Sequence, residues 1–122
     1  MGSYNTLVDL MGHKDLGGKT ILYLVDGLYA VENEQAAVSN SSKWQMAPFN
    51  NNWTSTMLAS QDPVALESVG VDFYRTEEAL NKNFTFSYGF IDNYLHEAAL
   101  ADNPPSGAFY APNGDGFRLK SL

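Results

Sequence analysis

Between Gly17-Gly18 and Asp26-Gly27 the chain is apolar at every position from Ile21 to Val25, its longest such run. A strand with one face in water alternates apolar and polar residues. An unbroken run of this length is instead how a strand covered on both faces reads. The run predicts a central strand over Lys19 to Val25, closed by the turn pair Asp26-Gly27. It therefore asks for layers of structure on either side, which points to α/β architecture.

The sharpest helix signal is Ser60-Gln61-Asp62-Pro63. Asp62 can accept a backbone N–H as an N-cap, and Pro63 suits the first helical position, where its missing donor costs nothing. A helix is predicted from Pro63 to about Leu80. Leu66, Val69 and Phe73 lie along one side, Val64 and Val71 beside them, and Ala65, Ser68 and Gly70 are small enough to let a strand approach closely. Trp53 to Ala59 reads as a second strand leading into it.

A short helix is expected over Tyr4 to Met11, capped by Asn5 or Thr6 and stopped by Gly12. Another is expected from Phe90 to about Ala101, halted by Asn103-Pro104-Pro105-Ser106-Gly107. Ala108 to Ala111 and Phe117 to Lys120 form a closing hairpin around Pro112 to Gly116. The fold class that follows is α/β: a small mixed sheet with two or three packed helices and a C-terminal hairpin. Residues 4–122 read as a single domain, a fragment of a larger one, behind Met1-Gly2-Ser3, which have the look of an expression leader. Glu32 to Asn52 shows no sustained period, and a structureless stretch of that length in a small domain is more often functional or mobile.

Composition narrows the function classes. Seven Lys or Arg stand against fourteen Asp or Glu, a net charge of −7, and the cations are scattered. Nucleic acid and anionic membrane surfaces need a basic stripe, so neither is an expected partner. With no cysteine in the chain, thiolate chemistry, disulfides and iron–sulfur ligation are excluded within it. No apolar stretch is long enough to span a bilayer. The sequons at Asn40, Asn52 and Asn83 would be acceptors in an exported protein, and the compartment stays open.

Three segments carry a resemblance. Lys19 to Gly27, then Ser60-Gln61-Asp62-Pro63-Val64-Ala65-Leu66-Glu67-Ser68-Val69-Gly70, and the closing Arg118-Leu119-Lys120-Ser121-Leu122 together resemble the C-terminal part of the domain of unknown function 362 family. It is a bacterial and archaeal family, some of whose members carry ferredoxin-type iron–sulfur segments. The Ser-x-Asp-Pro-Val-Ala helix start is the most specific piece. The resemblance implies an α/β fold and, since the cysteines are missing, no iron–sulfur cluster here. Where many members have a second aspartate, this chain has Glu67. The family supplies no activity to transfer.

Candidate site residues come from strand ends. Asp26, with Gly27 beside it, follows the central strand, and Asp62 follows the second. Loops splay at the carboxyl ends of strands in open α/β sheets, leaving backbone groups for ligands. Two carboxylates on one rim would hold a hard cation, Mg²⁺ or Ca²⁺. The competing account is a turn aspartate and a helix cap, which explains both. Glu67 lies about 140° around the helix from Asp62 and so faces elsewhere. Trp44 and Trp53, with Phe49, Leu28 and Tyr29, either line an aromatic pocket or pin the long loop to the core. His96 and Glu97 are adjacent and lack the spacing of helical metal ligands, and His13 adds no motif. No nucleophile elbow or phosphate loop is present. Two functional readings result: a cation or small-ligand site at Asp26 and Asp62 aided by the aromatics, or a non-catalytic module that contacts the remainder of a parent protein or another copy.

Overall fold

The computed structural model of the chain describes residues 4–13, 15–31, 35–81, 85, 91–100, 106–109 and 118–119. Residues 1–3, the Asn83 sequon, the Asn103 to Pro105 helix stop and the 112–116 hairpin tip lie outside them. The chain divides into two compact units, one formed by Leu22–Ser87 and the other by Met1–Ile21 with Tyr88–Leu122.

In the first unit, strand β1 (Tyr23–Gly27) pairs antiparallel with β2 (Thr56–Ser60), Tyr23 opposite Ser60 and Gly27 opposite Thr56. Helix α2 (Pro63–Leu80) packs on both strands. Its start is as the sequence predicts: Asp62 Oδ1 accepts from Ala65 N at 3.0 Å, and Pro63 occupies the first turn. Leu66 and Val71 are buried, but Val69 is turned outward and Gly70 has open space around it, so the close approach expected there is not made. Gly27 lies close against its partner strand: a Cβ there would come within 3.1 Å of the Thr56 carbonyl oxygen, a tight contact.

The central strand differs from expectation. Burial along β1 alternates, with Tyr23, Val25 and Gly27 half-buried and Leu24 and Asp26 exposed. Ile21, just before the strand, is 82% exposed. The helix covers one face, and among the described residues no second layer covers the other. Asp26 and Gly27 continue the ladder instead of turning, and the chain leaves it after Leu28.

The core of this unit comes from the segment with no periodicity. Trp44, Met46 and Phe49 are buried together against Ala30, Phe73 and Tyr74. The rings meet edge-on: Trp44 to Phe49 at 5.7 Å, Trp44 to Tyr74 at 5.2 Å, and Phe49 to Phe73 at 5.9 Å. Edge-to-face packing adds about 0.5–1.5 kcal/mol per pair beyond the buried area. A 3₁₀ turn (Asn40–Ser42) capped by Ser39 and a bridge between Trp44 and Asn52 supply its local order.

In the second unit, α1 (Thr6–Gly12) is capped by the Asn5 side chain accepting from Leu7 N at 2.9 Å. It ends on extended His13, without the left-handed glycine expected at Gly12. Val8 is buried against Tyr4 and against Tyr94 and Ala98 of α3 (Ile91–Ala99). The closing hairpin is present as β3 (Ala108–Phe109) paired antiparallel with β4 (Arg118–Leu119). Helices and strands are thus combined as the sequence predicts, a small α/β fold, with both described ladders antiparallel.

Candidate functional site

Antiparallel pairing decides the fate of the two aspartates. Asp26 stands opposite Met57, and Asp62 follows Ser60 at the other end of β2. Met57 to Ser60 is three strand rises, about 10 Å at 3.3–3.4 Å each, before the two further residues to Asp62. A shared cation needs each carboxylate oxygen roughly 2.0–2.6 Å from one point. The single rim assumed for the pair would require parallel strands, and these two run in opposite directions.

Each aspartate has local work instead. Asp26 Oδ1 accepts from Leu28 N at 3.0 Å, bending the chain out of β1, and Asp62 is the helix cap. Gly27 lends its carbonyl oxygen to the Thr54 hydroxyl at 2.5 Å. Glu67 is exposed on the second turn of α2. His96 is exposed, with Nδ1 2.5 Å from the Asp92 carbonyl oxygen, and His13 Nδ1 accepts from Asp15 N. Among the described residues no group of three or more metal-ligating side chains assembles, and no helix is long and apolar enough to cross a membrane.

The aromatics separate into two sets. Trp44 and Phe49 pin the long loop, Trp44 being only 3% exposed. Trp53 is half-buried nearer the surface, edge-on to Tyr29 at 5.3 Å, with Lys43 Nζ 5.5 Å from its ring centre.

Sequence reasoning missed Glu77, which organises this region. Its side chain is fully buried, and its carboxylate accepts from Gln45 N at 3.0 and 2.8 Å, from Met46 N at 2.9 Å and from Asn81 Nδ2 at 3.2 Å. A buried carboxylate is tolerated only with its oxygens satisfied, and here backbone amides of the loop satisfy them. The signal was available. Glu77 lies eleven residues beyond Leu66 and four beyond Phe73, on the apolar stripe of α2. A charge on that stripe requires partners, though the stripe alone does not say which.

The loop so anchored borders an open groove of about 310 Å³. Asn40, Lys43, Gln45, Asn51 and Asn81 are among its lining residues, with Trp44. Asn50 and Asn51 hold left-handed backbone, φ 50° and 65°, as does Ser55 at 43°. Asparagine accepts that region more readily than most residues, and such positions persist where the surroundings over-determine them. Two backbone bonds lock the wall: Trp44 N to Asn52 O at 3.0 Å and Asn51 N to Trp44 O at 2.7 Å. The chain matches no protein-family model, no curated protein and no solved structure.

A second feature faces outward. Residues 24 and 26 of one strand and 57 and 59 of the other share the face away from α2. Leu24 is 57% and Met57 62% exposed, and Leu22, Leu28 and Tyr29 are exposed as well. In the other unit, α1 turns Leu7, Leu10 and Met11 outward.

Proposed function

We propose that the chain is a non-catalytic interaction module whose β1–β2 outer face docks a second polypeptide. The observation that carries this is an apolar run, Ile21 to Val25, leading into a strand that among the described residues is covered on one side only. Solvated antiparallel sheets normally put polar residues outward. Here Leu24 and Met57 stand there, with exposed Leu22 just before the strand, each giving up on the order of 1 kcal/mol that burial would return. Contiguous exposed apolar surface of this kind marks contact sites. This reading stands beside the resemblance to the domain of unknown function 362 family, which we carry forward as a proposal of kinship only.

The occupant is a chain other than a second copy. Two strands of five residues offer a face of about 170 Å², far below the ~800 Å² per partner of a stable interface. A partner must therefore reach past the sheet, over Leu28 and Tyr29. A second copy would bring another −7 charge with it, whereas an apolar segment with basic flanks meets Asp26 and the acidic chain favourably.

The test is a double variant, Leu24→Thr with Met57→Thr, which removes the apolar side chains but keeps strand propensity. Its stability should stay within about 0.5 kcal/mol of wild type, as for exposed positions. A synthetic amphipathic leucine–lysine peptide should bind wild type saturably and the variant at least about tenfold more weakly, as loss of central apolar contacts predicts. Loss of more than about 2 kcal/mol would mean this chain already covers the face. Equal peptide binding by both proteins refutes docking there. A dimer in sedimentation velocity that the variant abolishes overturns the choice of partner.

A further inference from the structure

All the sulfur of this chain is thioether, four methionines with no cysteine. A peroxide meeting the folded protein therefore finds no thiolate to react with first. We propose that Met57 is an oxidation site at which a hydroperoxide, by forming the sulfoxide, releases the partner docked on the β1–β2 face. This rests on the docking reading above and adds its regulation.

Exposure selects the residue. Met57 is 62% exposed, Met11 40% and Met46 5%. Oxidation of a thioether follows solvent access. Met57 therefore leads, and Met46, packed with Trp44 and Phe49, is spared. The ladder also fixes where the Met57 side chain stands. It is the second residue of β2, opposite Asp26, and half-buried Thr56 and Leu58 flank it. Turning it inward would take a one-residue slip that carries Leu58 out to water.

The reaction is a two-electron oxygen transfer. The Met57 Sδ lone pair attacks one oxygen of the hydroperoxide, an S–O bond forms and the O–O bond breaks. Sulfur is oxidised and the peroxide reduced. The departing oxygen takes up the proton left on the transferred one and leaves as water, or as an alcohol from an organic hydroperoxide.

The product changes the face and leaves the fold alone. A sulfoxide is polar and carries a strong hydrogen-bond acceptor in place of an apolar sulfur. Met57 lies diagonal to Leu24 across the ladder, within reach of a long side chain, so the new oxygen interrupts the apolar patch. The other outward residues of the two strands are Leu24, Asp26 and Ala59, and none of their side chains offers a donor, the Asp26 carboxylate being an acceptor itself. Under an apolar partner the sulfoxide oxygen is desolvated without compensation. No core side chain moves, because Met57 belongs to neither buried cluster.

Brief treatment of the full chain with hydrogen peroxide, followed by peptide mapping in the mass spectrometer, tests the site. Sulfoxide should form at Met57 about tenfold faster than at Met46, in line with their exposures. The oxidised protein should keep its melting temperature within about 2 °C and bind the leucine–lysine peptide about tenfold more weakly. The two methionine sulfoxide reductases, one for each epimer, should restore binding. Met11→Leu should lose affinity on oxidation as wild type does. Met57→Leu, whatever its own affinity, should change by less than about twofold on the same treatment. Sulfoxide appearing at Met57 no faster than at Met46 refutes the site. Oxidation at Met57 that leaves peptide binding unchanged, or weakens it equally in Met57→Leu, refutes the release. Untreated wild type that binds no peptide refutes the docking reading and the release together, an outcome distinct from the others because it is read before any oxidant is added.

Discussion

Replacing Glu77 by Gln changes one oxygen to an NH₂ and almost nothing in shape, so it isolates what the carboxylate does for the loop. Oε2 accepts from Gln45 N and Met46 N, and Oε1 accepts from Gln45 N and from Asn81 Nδ2. A glutamine keeping its oxygen at the Oε2 position retains two of these four contacts. Its NH₂ then faces one N–H and one amide that can invert. Hydrogen bonds to a charged acceptor contribute about 1.5–3 kcal/mol each. Weakening two of them while loosening the others gives an expected loss of about 2–4 kcal/mol. Glu77→Ala removes every acceptor, leaves the two loop amides buried without this partner and adds a cavity, so about 3–5 kcal/mol is expected. Against total stabilities of about 5–15 kcal/mol, either change is large. Urea unfolding followed by tryptophan fluorescence measures both, since Trp44 lies in the core that Glu77 anchors. A Glu77→Gln variant within about 0.5 kcal/mol of wild type would refute the reasoning, because it would show that the loop holds its place without a carboxylate.

Two other expectations are independent of that one. Asp62→Ala should cost about 0.5–2 kcal/mol through loss of the α2 cap, and Asp62→Asn only a few tenths. Thermal melts should show no Mg²⁺ or Ca²⁺ dependence that either variant removes, and a cation-dependent shift lost in Asp62→Asn would restore a metal role for this carboxylate. Burial raises the pKa of the Tyr74 phenol above its ordinary 10.0. The unfolded chain therefore ionises this group first, and its contribution to stability is complete below about pH 10 and is lost as pH rises through the folded value. Tyr74→Phe should flatten that alkaline fall relative to wild type in melts taken from pH 8 to 11, and identical slopes would contradict it.

Local chemistry was legible and long-range placement was not. Asn5 and Asp62 declare their helices because a cap is a bond between residues two or three positions apart, and the closing hairpin is likewise short in span. The apolar run at Ile21 to Val25 correctly signalled a strand but not its cover, since hydrophobicity records what would be buried and not whether a layer is present. Direction of pairing is also invisible in the run. A strand with Leu24 beside Ala59 has the same residues whichever way its neighbour points, and that direction sent Asp26 and Asp62 to opposite ends.

By itself the sequence determined the α/β class, the Pro63-started helix, the helix caps and the acidic, thiol-free chemistry, all of them properties of residues close together in the chain. Only the tertiary structure decided that the aperiodic loop carries the core, that Glu77 holds it by backbone amides thirty-one and thirty-two positions away, and that among the described residues no second layer covers the sheet. The reason is the same in each case. Backbone N–H groups are present at every residue and leave no mark in the sequence, so a carboxylate that bonds them across a long separation has no readable partner until the chain is folded.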